Sequence, residues 1–149
     1  MGTIRGERVV EIEAPIERVF AIAADIEHAP EWQPSLTDVE VLSRDGEGRA
    51  QSVDTHSDAS VRTIHSRMTF AYDPPTAITW EQDHGHVKAM RGSWRLEDLG
   101  DARTRATYGL EVDPGRMLGL LLRGPVEGRV RDHLLDGAAE GLKARAEAG

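Results

Sequence analysis

The side chains in this sequence able to move a proton or hold a carbonyl oxygen are few and scattered: Asp54, His65, Arg67, Arg91, Tyr108 and His133. A histidine titrates near neutrality, a tyrosine hydroxyl donates a hydrogen bond without ionising, and a guanidinium binds oxyanions. Thiol chemistry is absent, because none of the 149 residues is cysteine, which also removes disulfides, Cys-ligated zinc and iron–sulfur clusters. Six histidines raise the question of a metal, with His84-Gly85-His86 as its core. In a hairpin turn the two rings are not preset toward one point, and no third ligand stands at a recognisable spacing. No metal and no cofactor are therefore expected. Ser35, Ser52 and Ser66 lie outside any nucleophile elbow, and Gly46-Glu47-Gly48 lacks the Lys-Ser/Thr pair and following helix of a phosphate loop.

Hydropathy patterning gives the elements that must position these groups. Val10 and Ile12 alternate with Glu11 and Glu13, which predicts a strand from Ile4 to Glu13. After Ala14-Pro15, the spacing of Ile16, Val19, Phe20 and Ala23 predicts a helix up to Asp25, and a second short helical turn is expected from His28 to Trp32. From Leu36 the period is two. Strands are expected from Leu36, from Arg49 to His56, from Val61 to Tyr72, from Thr76 to Gln82, from Val87 to Leu99 and from Arg103 to Val112, with turns at residues 45–48, 57–60, 83–86 and 100–101. Phase puts Ile64, Ser66, Met68, Phe70 and Tyr72 on one face and His65, Arg67 and Thr69 on the other. Tyr108 falls with Ala106 and Leu110, facing inward, and Trp80, Met90 and Trp94 fall with apolar neighbours.

The closing run from Pro125 to Arg145 has Val126, Val130, Leu134, Ala138 and Leu142 on one helical face, with Leu135 and Ala139 beside them. Glycine inside a helix costs roughly 1 kcal/mol relative to alanine, so Gly137 and Gly141 near that face call for a reason. Either a backbone approaches there or space is left for a ligand. Seven strands on short turns imply an antiparallel meander with one face covered, and this helix is the element long enough to cover it. The fold class expected is α+β: a seven-stranded antiparallel sheet curved around a long C-terminal helix, with two short helices after the first strand. Gly115 to Gly124 reads either as a mobile lid or as a first helical turn kinked before Pro125.

Several stretches resemble a known family. "APIERVFAIAADIEHAPEWQP" after the first strand, "ITW" at Ile78 to Trp80, "GSWRLEDLGDARTRATYGLEVDPG" from Gly92 to Gly115 and the terminal "GLKARAEA" are similar to bacterial polyketide cyclase/dehydrase-type members of the START-like (Bet v 1-like, SRPBCC, helix-grip) superfamily, which also includes coenzyme Q-binding proteins. The resemblance implies one START-like ligand-binding domain over residues 1–149, with a cavity between sheet and terminal helix. The expected function is binding of a small hydrophobic molecule: a polyketide, a quinone or a lipid-like compound. The alternative is a polyketide cyclase/dehydratase, which polarises carbonyls and moves protons, with Tyr108, His133 and an inward arginine as its catalytic set. The expected lining is Trp32, Met68, Phe70, Trp80, Met90, Trp94, Tyr108, Val130, His133, Leu134 and Gly137. Tyr108 also reads as a core tyrosine with one partner, His133 as a boundary histidine, and Trp32 as a filler between helix and sheet.

Charge and composition bound the partners. A net charge of -8 and a pI near 5.2 argue against a nucleic-acid backbone as partner. The longest apolar cluster, Met117 to Leu122, is interrupted by Gly119 and falls far short of the ~20 residues of a membrane span. A cytoplasmic protein is expected, monomeric or a homodimer paired through an edge strand.

Overall fold

The computed structural model describes residues 3–58, 63–121 and 124–148. Strand β1 (Ile4–Ile12) leads into α1 (Ile16–Ala24) and a 3-10 helix (Ile26–Glu31). Strands β2 (Leu36–Arg44), β3 (Ala50–Asp58), β4 (Thr63–Asp73), β5 (Ala77–Gly85), β6 (Ala89–Gly100) and β7 (Arg103–Asp113) follow, then α2 (Gly115–Leu121) and α3 (Pro125–Glu147). All strand pairs are antiparallel in the order β1-β7-β6-β5-β4-β3-β2. The first two strands in sequence are thus the two edges of the sheet, and α1 with the 3-10 helix spans the distance between them. This is the helix-grip α+β arrangement expected from the sequence.

Alternation fixes which side chains face the helices, because successive residues of a strand point to opposite faces. On β4, Ile64, Ser66, Met68 and Phe70 are buried, and the residues between them are at least partly exposed. On β7 the buried set is Thr104, Ala106, Tyr108 and Val112. The outer face carries charge. Arg91 and Arg5 both bind Glu111, and Arg67 makes two bonds to Asp54.

Helix α3 buries Val130, Leu135, Ala138, Ala139, Leu142 and Ala146. This stripe is rotated from the one read in the sequence: Val126 and Leu134 are only partly buried and pack on a separate small cluster, while Leu135 and Ala146 join the main core. The helix is tied to β1 by Arg8, which binds Asp136 at 2.6 Å and Asp132 at 2.7 Å. Arg18 of α1 donates to the Ala146 carbonyl near the other end of α3 at 2.7 Å.

Three local expectations are corrected. Strand β3 continues through Asp58, and β5 continues through Gly85, so the turn between β5 and β6 is carried by His86, Val87 and Lys88. That turn is pinned by the His86 N–H to the His65 carbonyl at 2.9 Å and the Lys88 N–H to the Asp113 carbonyl at 2.9 Å. The segment after β7 forms a separate helix, α2, set off from α3 by Gly124 at φ 60° and preceded by Gly115 at φ 82°. The expected turn over residues 57–60 falls partly outside the described residues. No helix of the described chain is long and apolar enough to cross a membrane.

Candidate functional site

Between the sheet and the helical layer lies a cavity of about 110 Å³. Its walls follow from strand phase. Phe70 on β4 pairs in register with Trp80 on β5, and Trp94 on β6 with Tyr108 on β7. The rings make one continuous aromatic surface: Phe70 to Trp80 at 5.6 Å, Trp80 to Tyr108 at 5.8 Å, Tyr108 to Trp94 at 4.7 Å, and Trp94 to Trp32 at 6.3 Å. Centroid spacings of this size with tilted planes are the favourable arrangement for aromatic quadrupoles. Gly92 makes the arrangement possible, since a Cβ there would stand 2.5 Å from the Trp80 ring. Trp80 lies over that bare backbone.

Of the residues expected to line the cavity, Trp32, Met68, Phe70, Trp80, Met90, Trp94, Tyr108, Val130 and Leu134 do so; His133 and Gly137 do not. Of the two helix glycines, Gly141 has a different explanation from the one that space for a ligand offered, and nothing in the structure requires a glycine at 137. A Cβ on Gly141 would run into the Trp32 carbonyl oxygen, and one on Gly137 would touch the Pro34 ring at 3.6 Å. Gly141 lets the chain after the 3-10 helix lie directly on α3, whereas the space at Gly137 would admit a methyl group. Cavity space comes instead from the first half of α3, at Val130 and Leu134, and extends to Val87 in the β5–β6 turn and to Pro114 before α2.

Sequence reasoning missed the polar part of the wall: Gln33, Ser35, Thr55 and Ser57. Gln33 and Ser35 follow the 3-10 helix, where no periodicity signals an inward side chain. Thr55 was within reach, because it alternates with buried Val53 on β3. Its hydroxyl donates to the Ser66 carbonyl at 3.3 Å, and the Ser66 hydroxyl binds the Gln82 side chain at 2.9 Å. Gln82 in turn donates to the Val87 carbonyl at 2.9 Å. This chain of bonds crosses β3, β4 and β5 and ends on the turn that closes the cavity.

The electrostatics of the wall are simple. Among the described residues, no Asp, Glu, Lys, Arg or His lines it. Tyr108 is the lining group that titrates, and burial pushes its phenol well above the usual tyrosine range, partly offset by a hydrogen bond with the Gln33 side chain. It therefore stays protonated, able to donate to an oxygen but not to serve as a base near neutral pH. The inward arginine is not found among the described residues: Arg67 is held by Asp54 at 2.8 Å and Arg91 by Glu111 at 2.7 Å, both on the outer face. Arg67 keeps the Asp54 carboxyl below its ordinary range. His133 Nε2 is buried with no hydrogen-bond partner.

Three of the other histidines gather at the outer face, while His28 stands on the 3-10 helix bound to Asp25. The His56 and His65 rings lie 5.0 Å apart with their planes tilted, and His65 meets His86 edge-on at 5.9 Å. His86 Nδ1 accepts the His65 backbone N–H at 3.1 Å, so that nitrogen is committed to the turn. Among the described residues no group of three or more His, Asp and Glu is placed to hold a metal ion.

Comparisons with known proteins agree with this fold. Over residues 3–147 the chain matches the family described as "Polyketide cyclase / dehydrase and lipid transport". A Streptomyces violaceoruber protein, the granaticin polyketide synthase bifunctional cyclase/dehydratase, is 29% identical over 103 residues, which is 67% of this chain and 31% of the relative's own length. A START superfamily protein from Mycobacterium smegmatis superposes with a TM-score of 0.84 at 21% identity, covering 99% of each chain. The Zhui aromatase/cyclase from Streptomyces sp. R1128 superposes at 0.72 with 21% identity, covering 99% of this chain and 98% of the other. At such identities the two structures speak for the fold alone. With a family match across almost its whole length, this chain belongs to the polyketide cyclase/dehydrase and lipid transport family.

Proposed function

We propose that residues 1–149 form one ligand-binding domain that holds a small hydrophobic molecule, of polyketide, quinone or lipid-like kind, between the sheet and α3, and that it works as a cytoplasmic carrier or sequestering protein. The observation that carries this reading is the wall itself: five aromatic rings, aliphatic side chains and uncharged polar groups, with no acid/base pair among the described residues. Binding requires only apolar area and a few polar anchors. At about 110 Å³ the space is below the ~300–1,000 Å³ of pockets that enclose a drug-sized ligand, and close to the roughly 150 Å³ of an apolar cavity that admits benzene. It takes one ring as it stands. A larger ligand enters by displacing flexible side chains, and Met68 and Met90, which adapt at little cost, are placed to move.

The test is extraction of purified protein with organic solvent and mass spectrometry of the extract, beside native mass spectrometry of the intact protein. A hydrophobic compound bound one to one is expected. Protein that carries nothing and takes up neither quinones nor aromatic polyketides contradicts the proposal.

The cyclase/dehydratase reading draws on the cyclase relative and on Tyr108. A protonated, fully buried phenol can polarise a ligand carbonyl, but the proton that must leave carbon needs a base that the described wall does not supply. Tyr108→Phe and His133→Ala address it directly. Abolished turnover of a cyclising substrate, with affinity kept within about threefold, would favour catalysis, and unchanged turnover removes both residues from it.

A further inference from the structure

We propose that Gln33 is a specificity-determining residue: it selects, within the cavity described above and resting on the reading of that cavity as a ligand site, a neutral ring compound bearing a hydrogen-bonding oxygen. Three observations converge on it. First, no charged side chain is found on the described wall, so an ionised ligand would leave water with nothing to compensate it. Second, Gln33 lines the cavity together with Tyr108, and its side chain is the neighbour that draws the Tyr108 phenol down against the effect of burial, which puts the amide beside that hydroxyl. A primary amide has two donors and a carbonyl with two lone pairs, so a single bond to that hydroxyl leaves donor and acceptor capacity at the wall. Third, Tyr108 sits 4.7 Å from Trp94, which is 6.3 Å from Trp32, so the amide stands at the edge of an aromatic surface. A ring lying against Trp94 brings a substituent oxygen to Gln33.

The other polar groups on the wall are less available. Thr55 has already given its proton to the Ser66 carbonyl, and the Ser35 and Ser57 hydroxyls each carry one donor proton where the Gln33 amide carries two and a carbonyl besides. The Gln33 amide can turn over, presenting N–H to a ketone or C=O to a hydroxyl. It thereby distinguishes an oxygenated neutral compound both from a bare hydrocarbon and from an anion.

Three matched probes separate these cases at pH 7: 4-propylphenol, propylbenzene and 4-propylbenzoate. Binding is read by calorimetry and by the fluorescence of Trp32, Trp80 and Trp94, all of which line the cavity. The phenol should bind about five- to tenfold tighter than the hydrocarbon, the worth of one net hydrogen bond, and the benzoate at least about thirtyfold more weakly than the phenol. Gln33→Leu should bring the two neutral probes within about twofold of each other. Because that change strands the Tyr108 hydroxyl, the double variant Gln33→Leu/Tyr108→Phe, in which both partners are removed, should show the same loss of preference in a stably folded protein. An unchanged preference for the phenol in Gln33→Leu or in the double variant, or wild-type protein that takes the benzoate as tightly as the phenol, overturns the assignment while leaving the cavity reading intact. Failure of all three probes to bind wild-type protein overturns the cavity reading and the assignment with it.

Discussion

The two ends of the cavity are built differently. At one end Trp32, Trp94 and Tyr108 merge with the main core of α1, the 3-10 helix and the second half of α3, including Val19, Leu135, Ala138 and Leu142. At the other end a separate small cluster, Ile4, Ile64, Val87, Val112 and Val130, is drawn from strand ends, a turn and the first turns of α3. The first end is aromatic and rigidly backed. The second is aliphatic, one layer thick, and bordered by the β5–β6 turn and by α2, whose Leu120 is 56% exposed. Dense packing around rings resists change, whereas a small cluster at element ends opens with a lower local free energy. On the proposed binding role, the aromatic end is the seat for a ligand and the aliphatic end its way in.

The sharpest break in that contrast should come from Trp94→Ala. It removes the ring between Trp32 and Tyr108 and should cost about 3–5 kcal/mol in denaturant unfolding. Gly141→Ala is expected to follow, at about 1–3 kcal/mol, because its Cβ would collide with the Trp32 carbonyl and lift the chain after the 3-10 helix off α3. Val130→Ala, at the aliphatic end, should cost less, about 1–2 kcal/mol. It should also speed amide exchange in the His86–Lys88 turn more than in the middle of β6. If Val130→Ala slows exchange there, or costs as much as Trp94→Ala, the two ends are not energetically distinct.

The smallest effect lies outside the cavity, at Asp54. Arg67 lowers its folded-state pKa, so the pair contributes stability above the unfolded carboxylate value and loses it as pH falls through the folded value. Asp54→Asn should lower Tm by under about 3 °C at pH 7, and the difference from wild type should vanish at acid pH. A constant difference would mean that the carboxylate acts through packing.

Much of this was legible in the sequence because two-residue periodicity states which side chains share a face. Met68, Phe70, Trp80, Trp94 and Tyr108 were placed inward by phase alone, and His65 and Arg67 outward. The helix was harder. A face of Val126, Val130, Leu134, Ala138 and Leu142 at four-residue spacing drifts around an α-helix of 3.6 residues per turn, so its two halves meet different partners, the aliphatic cluster first and the main core later. Gly137 and Gly141 pose a choice that sequence does not decide, between a backbone coming near and space for a ligand, and a backbone comes near at Gly141 alone. Gln33 and Val87 lie in connections without a side-chain period, where single hydrogen bonds such as that from the Gln82 side chain to the Val87 carbonyl set the course of the backbone.

The central claim is that a ring-sized apolar molecule enters between sheet and α3 and lies against the aromatic end. The most direct measurement is titration with benzene, followed by NMR of the three tryptophan indole N–H groups and the backbone amides. The account predicts shifts at Trp32, Trp80 and Trp94, with backbone changes at the His86–Lys88 turn and none at outer-face Arg91 or Arg105. Saturable shifts confined to the outer face, or no saturable shift at any indole, would contradict it.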